Sequence, residues 1–379
     1  MSSSFAQVFG KEPLVCARAP GRIEFIGNHT DYNGGLVMGV AVDKGVTVSL
    51  APRADTSISL ATSHGERPAV ADIADIRPLS GPESWCNYVL GVAKALMEQG
   101  MNASKGFDIY VESDLPSGAG LSSSAALELS TGLGLAKLYN FTIDKATLAR
   151  VGRKAENQFV GMPCGILDQG VSAFGEKDSI VRIDCAKESF SSIPMPQGLR
   201  FWVFNTMEKH NLVESLYATR HRECMDAFAL LRKAGSKANN LAEVSPQKVR
   251  AASLPAALEM RALHVCEEHR RVIAMGEALA SSDLSSVGRL LSASHNSSRT
   301  LFENSTEKLD ALVAILDRTD GVIGARLTGG GFGGAAMALT FDTFTQKQAD
   351  KVCEAFAAEY AGVSPNVFCA TAGAGARLI

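Results

Sequence analysis

The chain has 379 residues, of which 46% are hydrophobic and 20% charged, with a net charge of −3. That length suits two domains with cores of their own, and the near-balanced charge leaves no basic footprint for nucleic acid. No apolar run reaches the ~20 residues that a bilayer span needs, so no membrane association is expected. The start, Met1-Ser2-Ser3-Ser4-Phe5, has neither the basic nor the apolar stretch of a secretory leader, and a cytoplasmic location is expected. The eight cysteines (Cys16, Cys86, Cys164, Cys185, Cys224, Cys266, Cys353 and Cys369) contain no Cys-x-x-Cys pair and read as reduced thiols. The seven histidines are as dispersed, without ligand spacing, which argues against a metal enzyme built on them.

The first informative stretch is Arg18-Ala-Pro-Gly-Arg22-Ile-Glu24-Phe-Ile-Gly27-Asn28-His29-Thr30-Asp31-Tyr32-Asn33-Gly34-Gly35. An apolar run, Leu14 to Ala17, leads in, and another, Leu36 to Val42, leads out. The middle reads as a strand edge and turn crowded with hydrogen-bonding groups, suited to a small polyhydroxylated molecule whose hydroxyls each need a partner. Gly45 to Leu60 is rich in β-branched residues. Tyr88 to Gln99 has helical spacing, with Gly100 placed as a C-cap. Phe107 to Glu112 alternates as a half-buried strand does.

Asp114-Leu-Pro116-Ser117-Gly118-Ala119-Gly120-Leu121-Ser122-Ser123-Ser124-Ala125-Ala126 follows that strand, and Ala125 to Lys137 reads as a helix. Small residues before a helix let backbone N–H groups converge on an anion, and the serine hydroxyls add donors or a magnesium ligand. The loop is not a Walker A motif, which ends in Gly-Lys-Ser/Thr, and it lacks the third glycine of a dinucleotide fingerprint. The simpler reading is a turn with a serine N-cap. Glu156 and Asp168 then flank a Gly-Met-Pro-Cys-Gly turn, Glu156 on a helix and Asp168 where regular structure restarts. Each is a candidate base or metal ligand, with a helix cap as the plain alternative for Asp168.

The pattern is interrupted at Ile193-Pro-Met-Pro-Gln-Gly198, where a domain boundary is expected: residues 1–195 and 196–379. The second half carries apolar runs at Phe201 to Phe204 and Ala335 to Phe341. Helices are expected over Leu216–Lys233, Ala256–Ser281, Thr306–Arg318 and Thr345–Tyr360. Thr328-Gly329-Gly330-Gly331-Phe332-Gly333-Gly334 is a second glycine loop. A strand-like run follows it, so close approach to a ligand or to the first glycine loop is the better reading than a nucleotide-binding turn.

Together these segments resemble the GHMP small-molecule kinases, and within them the galactokinases. Three motifs carry the likeness: Gly21 to Asn33, Leu115 to Ala126 and Leu327 to Gly334. Trp85 to Val89, Gly161 to Gln169, and Lys209-His210 with Ser215 to Arg220 match in order between them. The resemblance implies an α/β (α+β) fold of two lobes with ATP and sugar in the cleft, acting as a monomer on a small-molecule sugar. It implies that the loop Pro116, Ser117, Gly118, Ala119, Gly120, Leu121, Ser122, Ser123 and Ser124 wraps the ATP phosphates, with Trp85 near adenine. Ser124 and Glu156 would hold Mg²⁺. Asp168 would take or orient the proton of the anomeric hydroxyl, with Arg22 beside it. Glu24, Asn28, His29, Asp31, Gly165 and Tyr217 would line the sugar pocket, and Gly329, Gly330 and Gly331 would support both sites. Phosphoryl transfer needs positioning and charge neutralisation more than covalent chemistry, which such a residue set provides.

The chain departs from the galactokinase pattern at one pair. Those enzymes carry Asn where this chain has Glu24, and a Glu that contacts the sugar's C6 hydroxyl where it has Asn28. Residues four apart on an extended strand share a face, so Glu24 could supply the missing carboxylate and keep galactose as substrate. Alternatively, Asn28 could donate to a C6 carboxylate, and the substrate would be galacturonate or another sugar such as N-acetylgalactosamine. A reading of another class, a sugar and ATP sensor acting through a protein partner, would be expected to show a damaged loop or base. Both are intact here.

Overall fold

The computed structural model describes residues 4–63, 68–116, 118, 120–208, 213–360 and 362–379, with backbone alone at 213–215. Ser117 and Ala119 of the first glycine loop, and Lys209 and His210, lie outside the described residues. In chain order the first half runs α1 (Phe5–Phe9), β1 (Val15–Ile26), β2 (Leu36–Pro52), β3 (Ser57–Thr62), β4 (Ala69–Asp72), α2 (Cys86–Glu98), β5 (Phe107–Ser113), α3 (Ser123–Leu138), α4 (Lys145–Lys154), α5 (Leu167–Phe174), β6 (Ser179–Asp184) and β7 (Ser189–Pro194). The second half runs β8 (Leu199–Asn205), α6 (Val213–Lys233), α7 (Pro246–Ala251), α8 (Ala256–Ala280), α9 (Leu284–Ser297), α10 (Glu307–Leu316), β9 (Val322–Thr328), β10 (Ala335–Phe341), α11 (Gln346–Glu359), β11 (Asn366–Ala370) and β12 (Arg377–Leu378).

Two sheets result. The larger has the order β12-β1-β2-β5-β3-β4, with β6 and β7 continuing from the first half of β2. Its pairs are antiparallel except β3 with β5. The smaller is antiparallel, in the order β11-β8-β10-β9. The expected break at residues 193–198 takes in the end of β7 and the turn that leads to β8. The chain end crosses back, however: Leu378 pairs with Ala17 on β1.

The long first strand is the main difference from the expected order. Instead of ending at Ala17, β1 runs through the polar motif to Ile26, with register shifts against β2 at Pro20/Arg22 and Glu24/Ile26. Proline is tolerated at such an irregularity because no ladder N–H is needed there. Nearly every residue of β1 is buried, because the strand is covered from both sides. One side joins the first core with α3, whose Gly134 packs so closely on β2 that a Cβ would lie 2.4 Å from Leu50. On the other, Ile23, Phe25 and Met38 share a core with Phe201, Val203, Met275 and Met337 of the second half. This shared core makes β1 a wall common to both halves.

The expected helices form within a few residues of their sequence bounds. Helices α4 and α9 were not among the expected elements. Both start at an aspartate N-cap, Asp144 accepting from Thr147 N and Asp283 from Ser286 N. Glu156 sits on a π-helical turn, Ala155–Val160, rather than on an α-helix, and a second such turn spans Ser298–Phe302. The first wide turn places Glu156 in a cavity wall, and Phe302 of the second stacks on His29; π-turns are frequent at functional sites.

Candidate active site

Two cavities lie near the Arg22–Asp168 pair: both residues line the first, and both bond to residues that line the second, Gly120 and Ser122. One, of about 230 Å³, is lined by Arg22, Glu24, Asn28, His29, Asp31, Glu156, Cys164, Gly165, Asp168, Tyr217 and Gly330, among others. The other, of about 540 Å³, is lined by Trp85, Tyr88 and the loop residues Pro116, Gly118, Gly120, Leu121, Ser122, Ser123 and Ser124. Polar side chains from β1, the turn at 161–169 and α6 converge on the first. The second runs from Trp85 and Tyr88 to the glycines and serine hydroxyls of the loop.

Asp168 lies in the first turn of α5, but it does not cap that helix. Its Oδ1 accepts from Arg22 Nε and its Oδ2 from Arg22 Nη2, both at 2.6 Å. Oδ2 also accepts from Ser122 Oγ at 2.5 Å. Arg22 Nη1 donates to Gly120 O at 2.6 Å, tying the pair to the glycine loop. Burial alone would lower the Arg22 pKa, but Asp168 beside it raises it, so the guanidinium stays charged. Ser122 stands at the N-cap position of α3, yet its side chain caps nothing there. Its φ of 54° is left-handed, a sparsely populated region for a side-chain-bearing residue. That conformation belongs to a serine turned toward Asp168. His29, which lines the first cavity, also has a positive φ of 58°, and strained backbone of this kind occurs at ligand sites.

Glu156 and Asp168 face the same space. Burial raises the Glu156 pKa, the Asp168 charge raises it further, and bonds from Cys164, Ser124 and Gln169 pull the other way. Gln169 Nε2 bridges Glu156 Oε2 at 2.7 Å and the fully buried Glu128 Oε2 at 2.9 Å. A carboxylate so placed, with a serine hydroxyl as neighbour, is short of a cation. The motif turn is equally constrained. A Cβ at Gly165 would fall 1.8 Å from Asp31 Oδ2, so only glycine fits. Burial, with Glu24 and Asp168 nearby, pushes the Asp31 carboxyl up to about 7, against a bond from its neighbour's N–H.

His29 lines the first cavity, but both ring nitrogens are occupied. Nδ1 lies 2.8 Å from Tyr32 Oη and Nε2 3.0 Å from Gly330 O. The carbonyl requires Nε2 to carry the proton, so Nδ1 accepts from Tyr32. Phe302 stacks on the ring at 4.3 Å, and burial holds the His29 pKa down to about 3. His29 therefore fastens the second glycine loop to the motif as a neutral ring. That loop also approaches the first one: a Cβ at Gly329 would lie 3.7 Å from Gly120 O. Gly330 lines the sugar-side cavity, and Gly331, at φ 81°, lies against Asn304.

Several site partners had no signal in the motifs. Glu268, wholly buried on α8, accepts from Gly27 N at 3.0 Å, Asn28 N at 3.3 Å and Ser294 Oγ at 2.6 Å. Arg326 on β9 is fully buried and reaches across to Glu24 Oε1 at 3.1 Å. Removing one member of such a buried ion pair costs roughly 3–5 kcal/mol. Burial still pushes the Glu24 carboxyl up, against the pull of Arg326 and Arg22. Two further histidines bond to this motif's backbone: His264 Nε2 donates to Asn28 O at 3.0 Å, and His269 Nδ1 accepts from Leu36 N at 3.0 Å.

With this geometry in view, comparisons with known proteins separate a class from a family. Models for the GHMP kinases N terminal domain and the GHMP kinases C terminal match residues 87–176 and 275–362. A galactokinase galactose-binding signature matches residues 3–52. A crystal structure of a mevalonate kinase superposes with a TM-score of 0.65 at 18% identity, covering 95% of this chain and all of that one, which is likeness of fold. The fold is thus that of a GHMP kinase.

Galactokinase of Glaesserella parasuis serovar 5 is 38% identical over all of this chain and 98% of its own length. Galactokinase of Chloroflexus aggregans is 36% identical over all of this chain and 96% of its own. The crystal structure of Lactococcus lactis galactokinase complexed with galactose superposes with a TM-score of 0.93 at 32% identity, covering 98% of this chain and 97% of that one. The chain belongs to the galactokinase family. Among the described residues, no helix is long and apolar enough to cross a membrane.

Proposed function

We propose that the protein transfers the γ-phosphoryl group of ATP to the anomeric hydroxyl of D-galactose, giving α-D-galactose 1-phosphate and ADP. The observation that carries this reading is the Arg22–Asp168 pair, which lines a sugar-sized cavity and is bonded to Gly120 and Ser122 of the glycine-loop cavity. A hydroxyl held at Asp168 would face the terminal phosphate of a nucleotide held by the loop.

In this reading Asp168 accepts or orients the hydroxyl proton, and Arg22 holds Asp168 in place while countering charge on the transferring group. Pro116 through Ser124, Ser117 and Ala119 included, wrap the phosphates, with Trp85 at the base. Asp31, Gly165 and Tyr217 hold the sugar. Among the described residues, no cluster of three or more His, Cys, Asp and Glu is arranged to hold a metal. Mg²⁺ bound with ATP needs only one or two protein oxygens, and the adjoining Ser124 and Glu156 fit that demand. The ion would neutralise phosphate charge, and no residue role above depends on it. Family likeness supports a cytoplasmic monomer.

The test is ATP consumption with galactose, galacturonate, N-acetylgalactosamine, glucose and no sugar, with and without EDTA. Galactose-dependent, EDTA-sensitive ADP release with a 1-phosphate product is expected. Turnover only with another sugar, or none at all, overturns the substrate assignment.

A further inference from the structure

Asn28 has nothing left to offer a ligand. Its Nδ2 donates to Glu24 Oε1 at 2.8 Å and to Gly329 O at 2.9 Å. Its Oδ1 accepts from Asn304 Nδ2 at 2.8 Å and from Ser298 Oγ at 3.3 Å. A side-chain amide has two donor hydrogens and two acceptor lone pairs, and all four are used.

Glu24 is the reverse case. Its Oε1 receives both Asn28 and Arg326. Its Oε2 has no protein partner among the described residues, and the side chain lines the sugar-side cavity. The remaining nitrogens in that wall are spent too, since His29 is bonded at both. Arg326 lies behind Glu24, donating to the Glu24 and Phe25 carbonyls and to Oε1. Arg22 and Glu24 are two residues apart on β1, with no register shift between them. They therefore share a face, about 7 Å apart along the strand. A hexose ring bridges such a distance, one hydroxyl at Asp168 and another at Glu24.

Resting on the sugar-kinase reading above, we propose that Glu24, held by Asn28 and Arg326, is the specificity-determining residue of the sugar site. Its Oε2 accepts a hydrogen bond from one non-anomeric hydroxyl. An ionised carboxylate only accepts, so the same oxygen repels a ligand carboxylate at that point and excludes uronic acids. The exchange of residue types at positions 24 and 28 then moves the contact four residues along the chain without opening the site to acidic sugars.

The experiment crosses protein and substrate changes. Wild type and Glu24→Gln are assayed for kcat/KM with galactose, the four monodeoxygalactoses (2-, 3-, 4- and 6-deoxy) and galacturonate. For wild type, one deoxy sugar is expected to lose at least about tenfold, and galacturonate to give no turnover. Glu24→Gln is expected to lose a similar factor on galactose but little on that same deoxy sugar, because the contact is already absent. Equal Glu24→Gln penalties on every sugar, an unimpaired Glu24→Gln enzyme, or wild-type turnover of galacturonate would overturn the proposal. If Glu24→Gln does not fold by thermal melt, Glu24→Asp replaces it and must show the same selective pattern. Wild type that ignores galactose but uses another neutral hexose overturns the substrate reading alone, and the cycle is then read on that hexose's deoxy series.

Discussion

The two cavities are built on opposite principles. On the sugar side the polar groups are largely bonded before any ligand arrives: Asn28 at four points, His29 at two, Glu24 at one oxygen. On the loop side the chain offers backbone and small hydroxyls, anchored by Arg22 at Gly120 O and by Asn205 Nδ2 at Gly118 O. The difference fits what each must recognise. Hydroxyls of a neutral sugar differ only in position, so discrimination needs acceptors held in place. Phosphate is a strong, many-sided acceptor that converging N–H groups bind through charge, whatever their exact spacing.

The largest expected effect strikes the Arg22–Asp168 pair. Asp168→Ala should lower kcat by about 10²–10⁴ while sugar binding, measured by calorimetry, stays near wild type. Unchanged turnover would remove Asp168 from the chemistry. On the loop side alone, Ser124→Ala should raise the Mg²⁺ concentration for half-maximal rate by about tenfold, with the KM for sugar unmoved. An unchanged metal titration would detach Ser124 from the ion.

On the sugar side, Asp31 gives a pH signature. Its folded pKa of about 7 exceeds that of an unfolded carboxylate. Between about pH 4 and pH 7 the folded sugar-free chain thus keeps a proton that the unfolded chain has lost, so stability falls as pH rises through that window. Asp31→Asn should flatten the fall by up to about 1.4 kcal/mol per pH unit in denaturant melts. The raised carboxyls of Glu24 and Glu156 would keep part of the slope. The smallest effect belongs to Ser122→Ala, which leaves Asp168 both Arg22 bonds. A loss of about threefold to tenfold in kcat is expected, and a loss as large as that of Asp168→Ala would make Ser122 a reacting group instead of a positioning one.

Much of this was legible along the chain. Helices such as α8 and α11 carry their period and ends locally, and the glycine-serine loop before α3 announces an anion site by composition. Other features lacked a local sign. The reach of β1 through Arg22 and Glu24 was hidden by polar residues, which read as a turn until both faces of the strand are seen to be covered. Ser122 looked like one cap candidate among three, and its contact with Asp168 spans 46 positions.

By itself, the sequence determined most of the longer helices, the two glycine loops, the pairing of Arg22 with Asp168 through family likeness, and the exchange at positions 24 and 28. Only the tertiary structure decided what that exchange means. It brings Arg326, Asn304 and Ser298 from about 270 to 300 positions away onto Glu24 and Asn28, using up the amide and leaving one carboxylate oxygen open. The physical reason is that a hydrogen bond forms between atoms about 3 Å apart in space. Which residues reach that distance across β1, β9 and the π-turn after α9 is set by how the two halves pack, not by spacing along the chain.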